Sequence, residues 1–290
     1  MKDIEYGKVN RALMEKSYAG GKGIHVAMGI HELGEEVRVL GFWGGENGKW
    51  IKSLCEKIGI RCFGPEVKGW NRTCMTFKSD SKYNETEILG KGPYIKEKEF
   101  LGFLADYKRL LAESDCVVMS GSWPESFNNA DYSVFLEMAG EKNKVTFIDC
   151  SGDLLRSALD FYPDTVHISY REGQSLYRKN DSVEQITGKL SKNCRQAVVT
   201  YGEKGLYMHV NNILIHALAR VKHVISAVGS GDSLVAGLVY AYIKSYTIED
   251  TARLAAACGA ANCIREDLGM FYKKDVDRLF NQVELSEMKQ

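Results

Sequence analysis

The sequence predicts an α/β fold: a mostly parallel β-sheet covered by helices on both faces, with a small β-sheet lid. Three observations carry this expectation. Short apolar runs alternate with helical patterns from about residue 110 onward. Two glycine-rich loops, about 200 residues apart, each open an apolar helical stretch. A region of short strand-like runs and polar turns, about 60–92, departs from that alternation.

The runs at 116–119, 145–148, 165–168 and 197–200 are short and apolar, as strands buried on both faces are. Helical candidates lie between them at about 130–141, 152–159 and 182–192. Strands separated by helices pair in parallel, because the chain crosses back over the sheet each time. Residues 205–225 are β-rich, and two apolar helices follow at about 232–246 and 248–264. Another helix, 24–33, follows the first glycine loop. The lid is expected from about residues 3–12 and 60–92, with strand-like runs at 4–11, 61–63, 73–77 and 85–89. An ordinary edge sheet fits the same pattern.

Composition excludes several functions. The 290 residues carry 38 Lys+Arg and 38 Asp+Glu, so no net field favours nucleic acid or an anionic membrane. No apolar run reaches membrane-spanning length, and the N-terminus lacks the pattern of a signal peptide. The eight cysteines are scattered without a Cys-x-x-Cys pair, which suits reduced thiols better than disulfides or zinc. A cytoplasmic protein is expected.

The chemistry concentrates in Gly229-Ser230-Gly231-Asp232, which precedes an apolar helix. A helix N-terminus gathers unpaired N–H groups and a positive dipole end, which together attract an anion. A carboxylate beside such a site can take a proton from a hydroxyl while the N–H groups hold negative charge. That combination suits phosphoryl transfer to an alcohol. The same residues also read as an Asp N-cap after a glycine-rich turn. The other loop, Gly20-Gly21-Lys22-Gly23, lacks the upstream glycine of a Walker A motif. It suits a phosphate or sugar hydroxyls, or a helix-initiating turn with a solvated lysine.

The order and spacing of the two loops resemble the ribokinase-like sugar kinases, in their phosphofructokinase-B branch of 1-phosphofructokinases and tagatose-6-phosphate kinases. Residues 20–27 match the first family signature, Gly-Gly-Lys-Gly-x-Asn-Val-Ala, except at His25. Gly229-Ser230-Gly231-Asp232 matches the second, Gly-Ala-Gly-Asp. Val9-Asn10-Arg11, Arg72 before Thr73-Cys74, Asp149-Cys150-Ser151-Gly152 and Tyr201-Gly202-Glu203-Lys204-Gly205 are further points of likeness, and the resemblance runs from about residue 5 to 280.

The resemblance implies a single ribokinase-like three-layer α/β/α domain over residues 1–290, with a β-lid. It implies ATP-dependent phosphorylation of a ketohexose phosphate, whether fructose 1-phosphate, fructose 6-phosphate or tagatose 6-phosphate. Asp232 would be the general base, and Gly229, Ser230 and Gly231 the anion hole. Gly20, Gly21, Lys22 and His25 would meet the sugar. Arg11, Lys22 and Arg72 would surround the phosphate that the substrate already carries, which charge-assisted donors suit. Gly202, Gly205, Gly259 and Asn262 would border the nucleotide. ATP and Mg²⁺ are implied, with a monovalent cation as a further activator whose ligands are unassigned. A homodimer through the lid is the implied assembly.

Three departures qualify the match. Family members open with a strand carrying Asn-Pro-x-x-Asp, whereas Met1 falls about where the lid strand should begin. A central strand is therefore expected to be missing. The family's Lys-Pro-Asn-x-x-Glu reads here as 168–173, with Tyr170 at the Asn position and Gly173 at the Glu position. Glu172, one residue away, is the candidate Mg²⁺ ligand, although one residue turns a helical side chain by about 100°. His25 replaces an asparagine. These departures keep open a non-catalytic relative that binds sugar phosphate or nucleotide. A kinase of an unphosphorylated sugar or nucleoside is the third reading, and Arg11, Lys22 and Arg72 argue against it.

Overall fold

The four buried runs form four adjacent parallel strands, which make up one side of a seven-stranded sheet. The computed structural model describes residues 5–78, 85–126 and 131–288. In chain order the first elements are α1 (Lys22–Glu32), β1 (Arg38–Leu40), β2 (Trp43–Gly44), α2 (Gly45–Lys57), β3 (Arg61–Phe63) and β4 (Glu66–Val67). Then come β5 (Cys74–Lys78), β6 (Glu85–Leu89), α3 (Glu97–Ala112), β7 (Cys116–Ser120), α4 (Ser133–Glu141), β8 (Val145–Asp149) and α5 (Gly152–Leu159). They are followed by β9 (Thr165–Ser169), α6 (Tyr170–Leu176), α7 (Val183–Leu190), β10 (Gln196–Thr200), β11 (Leu206–Val210) and β12 (Ile213–Leu218). The last are α8 (Ser230–Ile243), α9 (Ile248–Cys263), α10 (Lys273–Phe280) and β13 (Glu284–Met288).

The main sheet has the order β13-β12-β11-β10-β9-β8-β7. Strands β7 to β10 run parallel, and β10 to β13 are joined by antiparallel pairings. Alternation along β10 shows why it is buried on both faces. Val198 joins one apolar core with residues of α1, α8, α9 and α10. Ala197 and Val199 join the other, with residues of α3, α4, α5 and α7. Side chains alternate across a strand, so one apolar run seals two helical layers. The three-layer arrangement places the carboxyl ends of β7 to β10 along one rim, where ligands of open α/β sheets bind.

The expected lid is only partly where the sequence reading put it. β5 and β6 form an antiparallel hairpin, with Cys74 opposite Leu89 and Lys78 opposite Glu85. The run at 61–63 belongs to the body, because β3 pairs in parallel with β1 and buries Cys62 against Cys55 and Ile60. No strand forms over residues 5–12. Gly7 there has a φ of 74°, and Tyr6 and Val9 project into solvent. Residues 1–4 lie outside the described residues.

Among the described residues β7 pairs only with β8, and β1 only with β3. A cavity of about 770 Å³ lies between β1 and β7, with Val26, Ile30, Phe103 and Tyr107 in its walls. The sheet is interrupted at that point.

Candidate active site

A cleft of about 2780 Å³ opens at the carboxyl rim of the sheet. Gly121, Cys150, Ser169 and Thr200, at or just beyond the ends of β7 to β10, line it. The starts of α1 and α8 meet there, and so does the β5–β6 hairpin. Ser226 Oγ donates to the Glu85 carboxylate at 2.6 Å, tying the hairpin to the segment that leads into Gly229.

Gly229 caps α8 in the left-handed region, with φ 82° and ψ 1°. A Cβ at this position would overlap the Gly269 backbone, so only glycine fits the turn. Among the described residues the N–H groups of Gly231 and Asp232 make no backbone hydrogen bond, as first-turn N–H groups do. The Ser230 N–H instead donates to the Ala227 carbonyl at 3.2 Å. The free donors at this loop are therefore Gly229, Gly231 and Asp232, in place of the Gly229, Ser230 and Gly231 set expected from sequence. Asp232 is itself buried, at 6% exposure, yet borders the cleft. The rest of α8 is buried through most of its length, so the carboxylate stands on a rigid element.

The first glycine loop also opens its helix through a glycine of positive φ. Gly21, with φ 109°, precedes α1, and Lys22 is the first helical residue. The Lys22 ammonium donates to Asp149 Oδ1 at 3.0 Å. Asp149 is almost fully buried and also accepts from Ser120 Oγ at 2.9 Å and from His167 Nδ1 at 3.0 Å. His167 Nε2 lies 3.2 Å from Thr200 Oγ1, and a Cβ on Gly231 would come within 3.1 Å of the same ring. This network runs beneath the cleft from Lys22 to the end of β10 and braces the Gly229–Asp232 loop. Burial opposes both charges. His167, followed by Lys22, overcomes it at Asp149 and holds that carboxyl well below the usual range. Asp149, followed by Glu172 and Asp232, overcomes it at Lys22 and raises the ammonium's pKa. Burial pushes the neighbouring Cys150 up to about 12, so it is a thiol at neutral pH.

The structure gathers most of the candidate residues and separates two. Gly20, Gly21, Lys22, His25, Arg72, Glu172, Gly202, Gly205, Gly229, Ser230, Gly231, Asp232 and Gly259 line the cleft. Arg11 is exposed and does not, which leaves Lys22 and Arg72 as the basic pair. Asn262 is fully buried behind the loop. Its Nδ2 donates to the Val228 carbonyl at 3.0 Å, and its Oδ1 accepts from Ser233 Oγ at 3.4 Å. It holds the loop and is not among the residues that line the cleft. His25 also differs from expectation: its Nδ1 lies 2.8 Å from Asp232 Oδ2.

The phase at 168–173 is corrected as well. Ser169 is the N-cap of α6, and Glu172 stands at N3. The Glu172 carboxylate accepts from the Ser169 N–H and Oγ, both at 2.7 Å, in a capping box. Ser169 and Glu172 therefore hold the spacing of Asn-x-x-Glu, and the helix start sets the phase. Gly173 is a packing position, since a Cβ there would fall 2.5 Å from Ile186 Cγ2. Sequence reasoning gave no role to Asp149 or His167. The available signal was a histidine inside the otherwise apolar run of β9.

No three His, Cys, Asp or Glu side chains cluster tightly enough to hold a metal among the described residues. Glu172 reaches the cleft and makes no ion pair among the described residues. An oxygen donor of this kind fits Mg²⁺ arriving on nucleotide phosphates, which needs few protein ligands.

The matching family model is described as pfkB family carbohydrate kinase and covers residues 2–270. The chain belongs to that family. This kinase is 30% identical over 288 residues to a tagatose-6-phosphate kinase of Staphylococcus epidermidis, covering 97% of the chain and 92% of the relative. It superposes on the structure described as a possible 1-phosphofructokinase of Thermotoga maritima with a TM-score of 0.87. That pair is 23% identical and covers 100% and 95% of the two chains. It also matches phosphofructokinase-2 of Escherichia coli in complex with potassium, with a TM-score of 0.85, 20% identity and coverage of 97% and 93%. These two likenesses establish the ribokinase-like fold. No helix among the described residues of the kinase is long and apolar enough to cross a membrane.

Proposed function

We propose that the kinase transfers the γ-phosphoryl group of ATP to a hydroxyl of a ketohexose phosphate, with tagatose 6-phosphate, fructose 6-phosphate and fructose 1-phosphate as the candidate substrates. The observation that carries this reading is the buried Asp232 carboxylate at the start of α8, beside free N–H groups and across a cleft from Lys22 and Arg72. The similarity to a tagatose-6-phosphate kinase supports the choice of substrate class.

In the proposed reaction the acceptor hydroxyl loses its proton to Asp232 as its oxygen attacks the γ-phosphorus. The new oxygen–phosphorus bond forms as the β–γ bridging bond breaks, and that electron pair leaves on ADP. The N–H groups of Gly229, Gly231 and Asp232 meet negative charge on the transferring group. Lys22 and Arg72 hold the phosphate already on the sugar. Gly202, Gly205 and Gly259 border the nucleotide. Mg²⁺ would neutralise the nucleotide phosphates, and Glu172 would supply a protein oxygen to hold it. Potassium accompanies the E. coli neighbour, and a monovalent cation is a candidate activator here. A homodimer through β5–β6 would cover Met75, Ile88 and Leu89, which are about half exposed on the hairpin.

A coupled ADP-release assay with Mg-ATP and each of the three sugar phosphates tests the reading. Turnover with at least one of them, and far less with tagatose or fructose, is expected. Folded protein that turns over none of the three would overturn it and favour a ligand-binding relative.

A further inference from the structure

His25 and Asp232 lie 207 residues apart in sequence and meet because α1 packs on α8. The helices approach closely at Gly29, where a Cβ would fall 2.7 Å from Ala236 Cβ. Both side chains are more than nine-tenths buried. An ionised carboxylate only accepts hydrogen bonds, so the 2.8 Å contact puts the hydrogen on His25 Nδ1. Gly269 packs closely against the ring, where a Cβ would overlap it, and Gly20 borders Nε2.

That Nε2 is buried and has no hydrogen-bond partner among the described residues. An orphaned buried nitrogen is a cost that a residue chosen for packing alone would not carry. The gain is at the other nitrogen. A carboxylate on an aspartate turns about one bond and offers two equivalent oxygens. Donation from Nδ1 fixes one of them.

We propose that His25 is a positioning residue for Asp232: its Nδ1–H holds Oδ2 and leaves Oδ1 aimed at the acceptor hydroxyl. The proposal rests on Asp232 being the general base. His25 touches no reacting atom in this account. It sets the direction of the carboxylate, and a small misdirection of a catalytic group is enough to slow a reaction about 100-fold.

Asparagine is the informative replacement. Its Nδ2 stands the same number of bonds from Cα as His Nδ1, so His25→Asn can donate to Oδ2 and removes the orphan nitrogen. His25→Ala can do neither. The test compares kcat, KM for ATP and thermal midpoint for the parent, His25→Asn, His25→Ala, Asp232→Asn and His25→Ala with Asp232→Asn. Mg-ATP and whichever sugar phosphate the parent turns over are the substrates. His25→Ala should lower kcat about 10- to 100-fold, with KM for ATP unchanged. His25→Asn should recover most of that loss. The double variant should be no slower than Asp232→Asn alone, because His25 then has no base to aim. Unchanged kcat in His25→Ala, no recovery in His25→Asn, or multiplying losses in the double variant would each overturn the proposal while leaving Asp232 as the base. Full activity in Asp232→Asn would overturn the base assignment, and this proposal with it. If His25→Ala does not fold, the comparison of parent with His25→Asn and His25→Phe decides. Phenylalanine keeps the ring volume without the donor, and equal activity in the two variants would overturn the proposal.

Discussion

The Lys22 ammonium donates to the buried Asp149 carboxylate at 3.0 Å. The glycine-loop lysine is therefore oriented before any ligand arrives. Its partner is held in turn by Ser120 and His167. The start of α1 and the end of β10 share this one polar support.

Asp149 should contribute pH-dependent stability. Its carboxyl is held below the usual range by His167 and Lys22. A lowered carboxylate stabilises the fold fully above the unfolded-state pKa of about 3.9, and loses that effect as pH falls toward the folded value. Asp149→Asn should cost about 3–5 kcal/mol at pH 7 in urea unfolding. The gap between variant and parent should narrow below about pH 4. A gap of constant size down to pH 3 would count against a charge-based role.

Arg72 lines the cleft and makes no ion pair among the described residues, so its guanidinium is free for a substrate phosphate. Arg72→Gln should raise KM for the sugar phosphate about 10- to 100-fold, the loss of a charged hydrogen bond worth about 1.5–3 kcal/mol. KM for ATP should stay put. Parallel rises in both constants would place Arg72 elsewhere in the mechanism.

Glu172→Gln keeps an oxygen for the Ser169 capping bonds and loses the charge. The variant should fold like the parent and need more Mg²⁺ for half-maximal rate at fixed ATP. An unchanged Mg²⁺ titration would show that Glu172 serves the helix start alone.

Asn262 separates a structural from a ligand role. Asn262→Ala strips a hydrogen bond from the buried Val228 carbonyl, and should lower stability by about 1–3 kcal/mol. ATP affinity in the protein that remains folded should be near that of the parent. A selective loss of ATP binding without loss of stability would restore it to the nucleotide site.

Local patterns carried much of this in the sequence. The runs that became β7 to β10 were legible because strands buried on both faces are continuously apolar. The β5–β6 hairpin and the two glycine-opened helices were legible for similarly local reasons. What failed was long-range or a matter of phase. Residues 5–12 look strand-like, yet nothing in the described structure pairs with them. The start of α6 depends on Ser169 capping, and a one-residue error there moved the expected carboxylate onto Gly173. The contact of His25 with Asp232 was not legible, because the two lie 207 residues apart in sequence. Asn262 sits in a helix that borders the cleft, and only its facing, toward Val228, separates it from the ligand side.

Turnover by Asp232→Asn tests the central claim most directly. The substitution keeps the shape of the side chain and removes its basicity. With Mg-ATP and a sugar phosphate that the parent converts, kcat should fall about 10²- to 10⁴-fold, the usual reach of general-base catalysis, while ATP affinity and thermal midpoint stay near those of the parent. A kcat close to the parent's, or a loss matched by equal losses in ATP affinity and stability, would make Asp232 a structural residue of the loop and contradict the account.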